Sequence, residues 1–290
     1  MNIEPSWTER LLGMTHTAGT HSAGMHIAGR ALALRMHAYP EVFANGERLR
    51  VPLKHGLALL AFLAESTTSV SRTLAAQVLW PDALEDVGRT RLRRLVHNLN
   101  GLLGAALVTG DKETLWLAAD VPFHADTAAA RRASQALLKD SRSCAGAASA
   151  ALAETLLQPG AGKFLEGFSL SGSDQFYDWM VRHRAEHERL LCRALVRLAE
   201  DCAAAGDTAT AVQAAEQVLA VDSCTERAYV LLIGELGRLG DRCGVEKVYF
   251  QCADALRTEL GVRPSDAVES AYAAATQLMA RARPASTAAG

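Results

Sequence analysis

Three features of the sequence predict an α+β N-terminal winged helix-turn-helix followed by an all-α tetratricopeptide-like helical repeat domain. The first is a short helix broken at Trp80-Pro81-Asp82 and followed by a basic helix carrying Arg89, Arg91, Arg93 and Arg94. The second is the apolar ribbon after it, turned at Gly110-Asp111-Lys112-Glu113. Helix, turn, basic helix and hairpin in that order are the wiring of a winged helix-turn-helix, which places one helix in the DNA major groove. The third is a Gly-Asp pair, Gly206-Asp207, that recurs 34 residues later as Gly240-Asp241, each time between two amphipathic helices. That spacing is the tetratricopeptide period, whose helix pairs stack into a continuous core.

Size and composition are consistent with this division. A chain of 290 residues suits about two domains. Hydrophobic residues make up 49% and charged residues 21%, the balance of a globular chain. No apolar run approaches the roughly 20 residues that span a bilayer, and the N-terminus lacks the apolar stretch of a secretory signal. A soluble cytoplasmic protein is expected. Net charge is −2, yet four of the six residues from Arg89 to Arg94 are arginine. Phosphate contact depends on where positive charge clusters, so one basic edge on a near-neutral body suits DNA. Cys144, Cys192, Cys202, Cys224, Cys243 and Cys252 include no C-x-x-C pair, so they are expected to be reduced and to pack as small hydrophobes.

Residues 1–30 read as a flexible tail. Thr15-His-Thr-Ala-Gly19, Thr20-His-Ser-Ala-Gly24 and Met25-His-Ile-Ala-Gly29 repeat a five-residue unit that fits neither helix nor strand. His16, His21 and His26 are read as incidental to this repeat rather than as metal ligands, and Met25 and Met36 stand as alternative starts. From Ala31 the pattern turns orderly. Leu32, Leu34 and Met36 alternate, Val42 and Phe43 follow Pro40, and Leu49 and Val51 alternate after Asn45-Gly46. This reads as a small antiparallel sheet with a tight hairpin. Leu57, Leu60, Ala61 and Ala64 fall at helical spacing and predict a helix over 53–65. Residues 67–71 form a polar loop whose Ser71 can cap the next helix, over 72–79, which Pro81 stops. Trp80 is expected in the core beside that turn.

In the basic helix Leu92, Leu95, Val96, Leu99 and Leu103 share one face. The opposite face carries Thr90, Arg94, His97 and Gly101, flanked by Arg91, Arg93 and Asn98. Leu107-Val108 and Leu115-Trp116-Leu117 form the wing. Beyond it, helices are expected over 127–138, 144–157, 174–190, 190–204, 208–221, 225–238, 242–260 and 266–282. Leu198 and Leu232 take equivalent places in the two repeats, as do Ala211 and Val245, while Tyr249 has Ala215 as its counterpart. The expected domains are 31–122 for the winged helix-turn-helix and 123–282 for the helical region, with 283–290 a second tail.

Several phrases resemble a known family. They are Leu57-Ala-Leu-Leu-Ala-Phe-Leu63, Val78-Leu-Trp-Pro-Asp82, Leu92-Arg-Arg-Leu95, Phe164-Leu-Glu-Gly-Phe168 and Glu259-Leu-Gly-Val-Arg-Pro-Ser265. Phe176-Tyr-Asp-Trp179, followed by Arg184 and Glu188, resembles the opening of an activator domain. About four-fifths of the chain is thus similar to the SARP-type transcriptional regulators, which pair a response-regulator-type winged helix with a bacterial transcriptional activator domain. The resemblance implies sequence-specific binding to double-stranded DNA upstream of promoters, usually as a homodimer, and recruitment of RNA polymerase. It implies a basic helix that reads bases and a wing along the adjacent minor groove. Asn98, Asn100 and Gly101 stand where family members often carry a second basic cluster. Larger members append an ATPase or sensor region, and none is expected here.

The chemistry assigns roles on the helix. Thr90, Arg94, His97 and Asn98 are candidates for base contact, because Arg pairs with guanine and Asn with adenine through two parallel hydrogen bonds. Arg89, Arg91 and Arg93 suit phosphates, with Lys54, Arg72 and Lys112 at the edges of the footprint. An enzyme is not expected. Pro159-Gly-Ala-Gly-Lys163 lacks the first Gly and the metal-binding Ser/Thr of a phosphate loop. Asp174 and Asp178, four apart on one helix, suit capping and solvation, and neither cofactor nor metal is implied. The leading reading is a DNA-binding transcriptional regulator. The alternative is a protein-interaction adaptor that uses the helical repeats and whose winged helix no longer binds DNA specifically.

Overall fold

A computed structural model describes residues 30–139, 147–158 and 160–282. The histidine repeat, Cys144 and Pro159 lie outside the described residues. The chain forms two compact units: one from residues up to Ala129 together with Lys163–Arg184, the other from Ala130–Gly162 and the residues from Ala185 onward.

In the first unit β1 (Leu32–Arg35), β2 (Glu41–Ala44) and β3 (Glu47–Leu49) form the expected antiparallel sheet. Leu34 faces Val42 across the first pair, and the turn residues Asn45 and Gly46 take φ of 51° and 86°, the left-handed values an Asn-Gly hairpin needs. β7 (Phe123–Ala125) joins the far edge parallel to β1, with Ala125 opposite Leu34. The sequence pattern did not announce that strand.

Helix α1 (Lys54–Glu65) follows, then β4 (Val70–Ser71), α2 (Arg72–Leu79), α3 (Glu85–Leu103), β5 (Val108–Gly110) and β6 (Thr114–Leu117). Val70 pairs with Leu115, so the expected polar loop ends in a two-residue third strand of the wing sheet. Leu57, Leu60, Leu92, Leu99, Leu103 and Leu115 close a common core.

Residues 163–184 complete that core. Phe164, Leu165, Phe168, Phe176 and Trp179 are buried in the same cluster, with the Trp179 ring 5.2 Å edge-on to Phe62 of α1 and 5.1 Å from Phe176. The Leu165 amide donates to the Met36 carbonyl (2.7 Å), and the Arg184 guanidinium donates to the Phe164 carbonyl (2.9 Å). Ser173 accepts from the Phe176 amide and donates to the Val78 carbonyl. The carboxylate of buried Asp126 accepts from the Met36, His37 and Thr127 amides. The three amides satisfy a carboxylate that burial alone pushes up from its ordinary range.

The second unit is helical. It is built from parts of α4 (Asp126–Lys139) and α6 (Asp174–Ala205), with α5 (Ala147–Leu156), α7 (Thr208–Val221), α8 (Glu226–Leu239), α9 (Arg242–Glu259) and α10 (Asp266–Ala282). The two helices expected over 174–190 and 190–204 are one helix of 32 residues, since no Gly or Pro interrupts the sequence.

The 34-residue recurrence has a clear local cause. Gly206 and Gly240 take φ of 81° and 73°, which stops the preceding helix at low steric cost. Asp207 and Asp241 then accept from the Thr210 and Gly244 amides and cap the next helix. Leu198, Leu232, Ala211 and Val245 are all buried, as their equivalence requires. Tyr249 is half-buried and stacks on Tyr272 at 4.3 Å. Cys202 and Cys252 are buried as expected, whereas Cys243 is exposed in the first turn of α9, at a position the helix turns to solvent. Burial, with Asp222 and Glu188 nearby, pushes the Cys192 thiol up to about 12.

Candidate nucleic-acid interface

Helix α2 begins where the Ser71 hydroxyl accepts from the Leu74 amide (3.5 Å) and ends at Trp80-Pro81. Trp80 is half-buried, with its ring stacked 5.0 Å from His55 of α1. Helix α3 then starts with Glu85 and Asp86, whose charge suits the positive end of a helix. Gly88 faces α2 closely: a Cβ there would sit 3.3 Å from that of Ala76. The close crossing turns the opposite side of α3 to solvent.

That side exposes Thr90, Arg91, Arg93, Arg94, His97 and Asn98. Among the described residues Arg91, Arg93 and Arg94 have no ion-pair partner. Burial, and then the charge of Arg91, hold His55 below the usual imidazole range. Among the described residues, the helix presents three guanidiniums without an ion pair beside three hydrogen-bonding side chains, Thr90, His97 and Asn98, suited to base edges.

The wing lies against the start of α2 and the side of α3. Arg72, Arg89 and Arg93 line a cleft of about 720 Å3 with Asp111, Lys112 and Glu113 of the wing turn. Arg72 donates through its amide to the Glu113 carbonyl (2.8 Å) and through Nε to the Asp111 carbonyl (2.7 Å). Burial, then the neighbouring Arg89 and Arg93, hold its pKa below the usual arginine range. The Arg89 guanidinium donates to the Lys112 carbonyl (2.9 Å), with Glu113 at 3.8 Å and Glu85 at 4.0 Å. The turn is itself braced. Asp111 accepts from the Glu113 and Thr114 amides, which keeps its carboxyl below the ordinary range. A Cβ at Gly110 would lie 2.1 Å from the Thr114 carbonyl oxygen, so only glycine allows this approach.

Of the ten candidates, Arg72, Arg89, Arg93 and Lys112 therefore meet at one cleft, and five others line the exposed face of α3. Lys54 stands apart, lining a second cleft of about 520 Å3 with Arg48 and Arg50. Asn100 has a role its residue type did not signal: its side-chain amide donates to the Val108 carbonyl (2.8 Å) and accepts from the Val108 amide (3.0 Å). Lys163, of the glycine-containing stretch, pairs with Glu166 at 3.3 Å on the surface.

The sequence pattern of the bacterial transcriptional activator domain matches residues 125–275, more than half of the chain. The chain belongs to that family. No curated protein matches it. Among solved structures, this member of the family is similar to Mycobacterium tuberculosis EmbR in complex with a low-affinity phosphopeptide, with a TM-score of 0.57 and 16% sequence identity. The likeness covers 88% of this chain and 66% of that one, so the chain spans just under two thirds of EmbR's length. At that identity the likeness is one of fold, and it extends through both the winged and the helical parts. The resemblance to SARP-type regulators read from the sequence agrees with both findings. No helix among the described residues is long and apolar enough to cross a membrane.

Proposed function

We propose that the chain is a sequence-specific DNA-binding transcriptional regulator, an activator that recruits RNA polymerase through its helical domain. The observation that carries this reading is the solvent face of α3, with Thr90, Arg91, Arg93, Arg94, His97 and Asn98 exposed and no carboxylate between Val87 and Gly104. A helix of this kind fits the major groove, and the wing beside it reaches the flanking backbone. Thr90, Arg94, His97 and Asn98 face base edges, while Arg91, Arg93, Lys54 and Lys112 take phosphates. Arg72 and Arg89, expected from sequence as further phosphate ligands, border the same cleft with donors already on wing carbonyls. The partners are double-stranded DNA, RNA polymerase and a second copy of the chain on DNA, in the cytoplasm. No cofactor enters this reading.

The test is selection of genomic fragments by the purified full chain at near-physiological salt. A repeated motif spaced by about 10 base pairs, one helical turn, is the expected result. Binding that is absent, or uniform and removed by modest salt, overturns the reading in favour of the adaptor.

A further inference from the structure

The wing is tied to the helix-turn-helix at both of its ends. At the tip, the two successive carbonyls of Asp111 and Lys112 each accept from a guanidinium, that of Arg72 and that of Arg89. At the base, Asn100 meets both backbone polar groups of Val108, as a neighbouring strand would. Turn carbonyls at a hairpin tip ordinarily face water. Here they are held by cations from two different helices, and Val108 ties the wing a second time at its base. Arg89 also has the Glu85 and Glu113 carboxylates within 4.0 Å, whereas Arg91, Arg93 and Arg94 form no ion pair among the described residues. Carboxylates already stand beside its charge, and its two terminal nitrogens already donate to the Lys112 carbonyl and the Thr73 hydroxyl, which suits a brace better than a phosphate ligand.

We propose that Arg72, Arg89 and Asn100 are positioning residues that lock the wing to α3, so that they set DNA affinity through the wing's orientation and not through contact with phosphate. The proposal rests on the DNA-binding reading above. A wing held in place loses no orientational freedom when the duplex arrives, which lowers the cost of binding. Phosphate contact then falls to Arg91, Arg93, Lys54 and Lys112, whose charges are not committed to the wing carbonyls.

The experiment uses the full chain and the variants Arg89→Lys, Arg89→Ala, Asn100→Ala and Arg93→Ala, with thermal unfolding to establish that each folds. Fluorescence anisotropy with a genome-selected duplex and a mixed-sequence duplex is read across a salt series. Hydrogen exchange is followed at the amides of residues 108–117. Arg89→Lys keeps the charge but loses the planar fork. It and Asn100→Ala are expected to speed exchange in the wing and to weaken duplex binding about tenfold, with the salt slope unchanged. Arg93→Ala is expected to shallow the slope by about 0.9, the loss of one phosphate contact. A wild-type affinity for Arg89→Lys, together with a slope shallower by about one for Arg89→Ala, makes Arg89 a phosphate ligand and overturns the proposal. Unchanged exchange in Asn100→Ala overturns it as well. If the wild type binds neither duplex, the DNA reading falls, while the exchange results still decide whether the lock exists.

Discussion

Arg94 sits mid-way along α3, exposed and with no ion-pair partner among the described residues. A guanidinium so placed costs little to desolvate against a guanine edge, and it gains two parallel bonds there. Arg94→Ala is expected to weaken binding to a selected site by about 1–3 kcal/mol and to relax base preference at one position. Equal affinity of wild type and variant for the site and its single-base variants would remove that role. His55 provides a different test. Its folded-state pKa lies below that of an unfolded imidazole, chiefly through burial and then through Arg91. The unfolded chain therefore binds more protons in the window just below about 6.5, so stability is complete above that pH and falls as the solution is acidified through the folded pKa. The melting temperature should drop more between pH 7.5 and 5 for the wild type than for His55→Gln. Parallel pH profiles would show that His55 does not titrate against folding. The basic face could be read from residue types alone. The division of labour within it could not, because Arg72, Arg89 and Arg93 are chemically identical and only their neighbours distinguish them.

At the scale of elements, the helices whose ends carry strong local chemistry were legible. Helix α2 lies between Ser71 and Trp80-Pro81, and α7 and α9 each follow a Gly-Asp pair, as the sequence indicated. The elements that were not legible depend on distant partners. β7 is three residues long and exists because β1, some 90 residues earlier, offers an open parallel edge. β4 needs β6 in the same way. The continuity of α6 follows from the absence of a breaker, a weaker signal than the presence of one. The repeated caps yield a quantitative expectation. Asp207→Ala and Asp241→Ala should each cost about 0.5–2 kcal/mol, and the double variant roughly their sum, because the caps share no partner. Chemical denaturation of the three variants measures this. A loss well beyond the sum would mean that the two repeats are coupled through the stack.

At the scale of the whole molecule, the family match begins at residue 125, yet residues 163–184 complete the core of the N-terminal unit. The phrases Phe164-Leu-Glu-Gly-Phe168 and Phe176-Tyr-Asp-Trp179, which supported the family resemblance, thus supply Phe164, Leu165, Phe168, Phe176 and Trp179 to the core of the unit that carries the basic helix. A fragment ending at residue 129 lacks Phe164, Phe176 and Trp179 and should lose cooperative unfolding. Phe176→Ala in the full chain should cost about 3–5 kcal/mol. Calorimetry of the fragment decides the first point, and a sharp, wild-type-like transition would show that the winged part stands alone.

The interleaving of the two units also sets a timetable for synthesis. Between Ala129 and Arg184 the ribosome must add 55 residues before the first core can close. At about 5–20 residues per second this takes roughly 3–11 s, during which Phe62 waits without Trp179 beside it. A nascent chain with uncovered apolar surface for that long is a natural client for chaperones, so codon speed between residues 130 and 184 bears directly on the yield of folded protein.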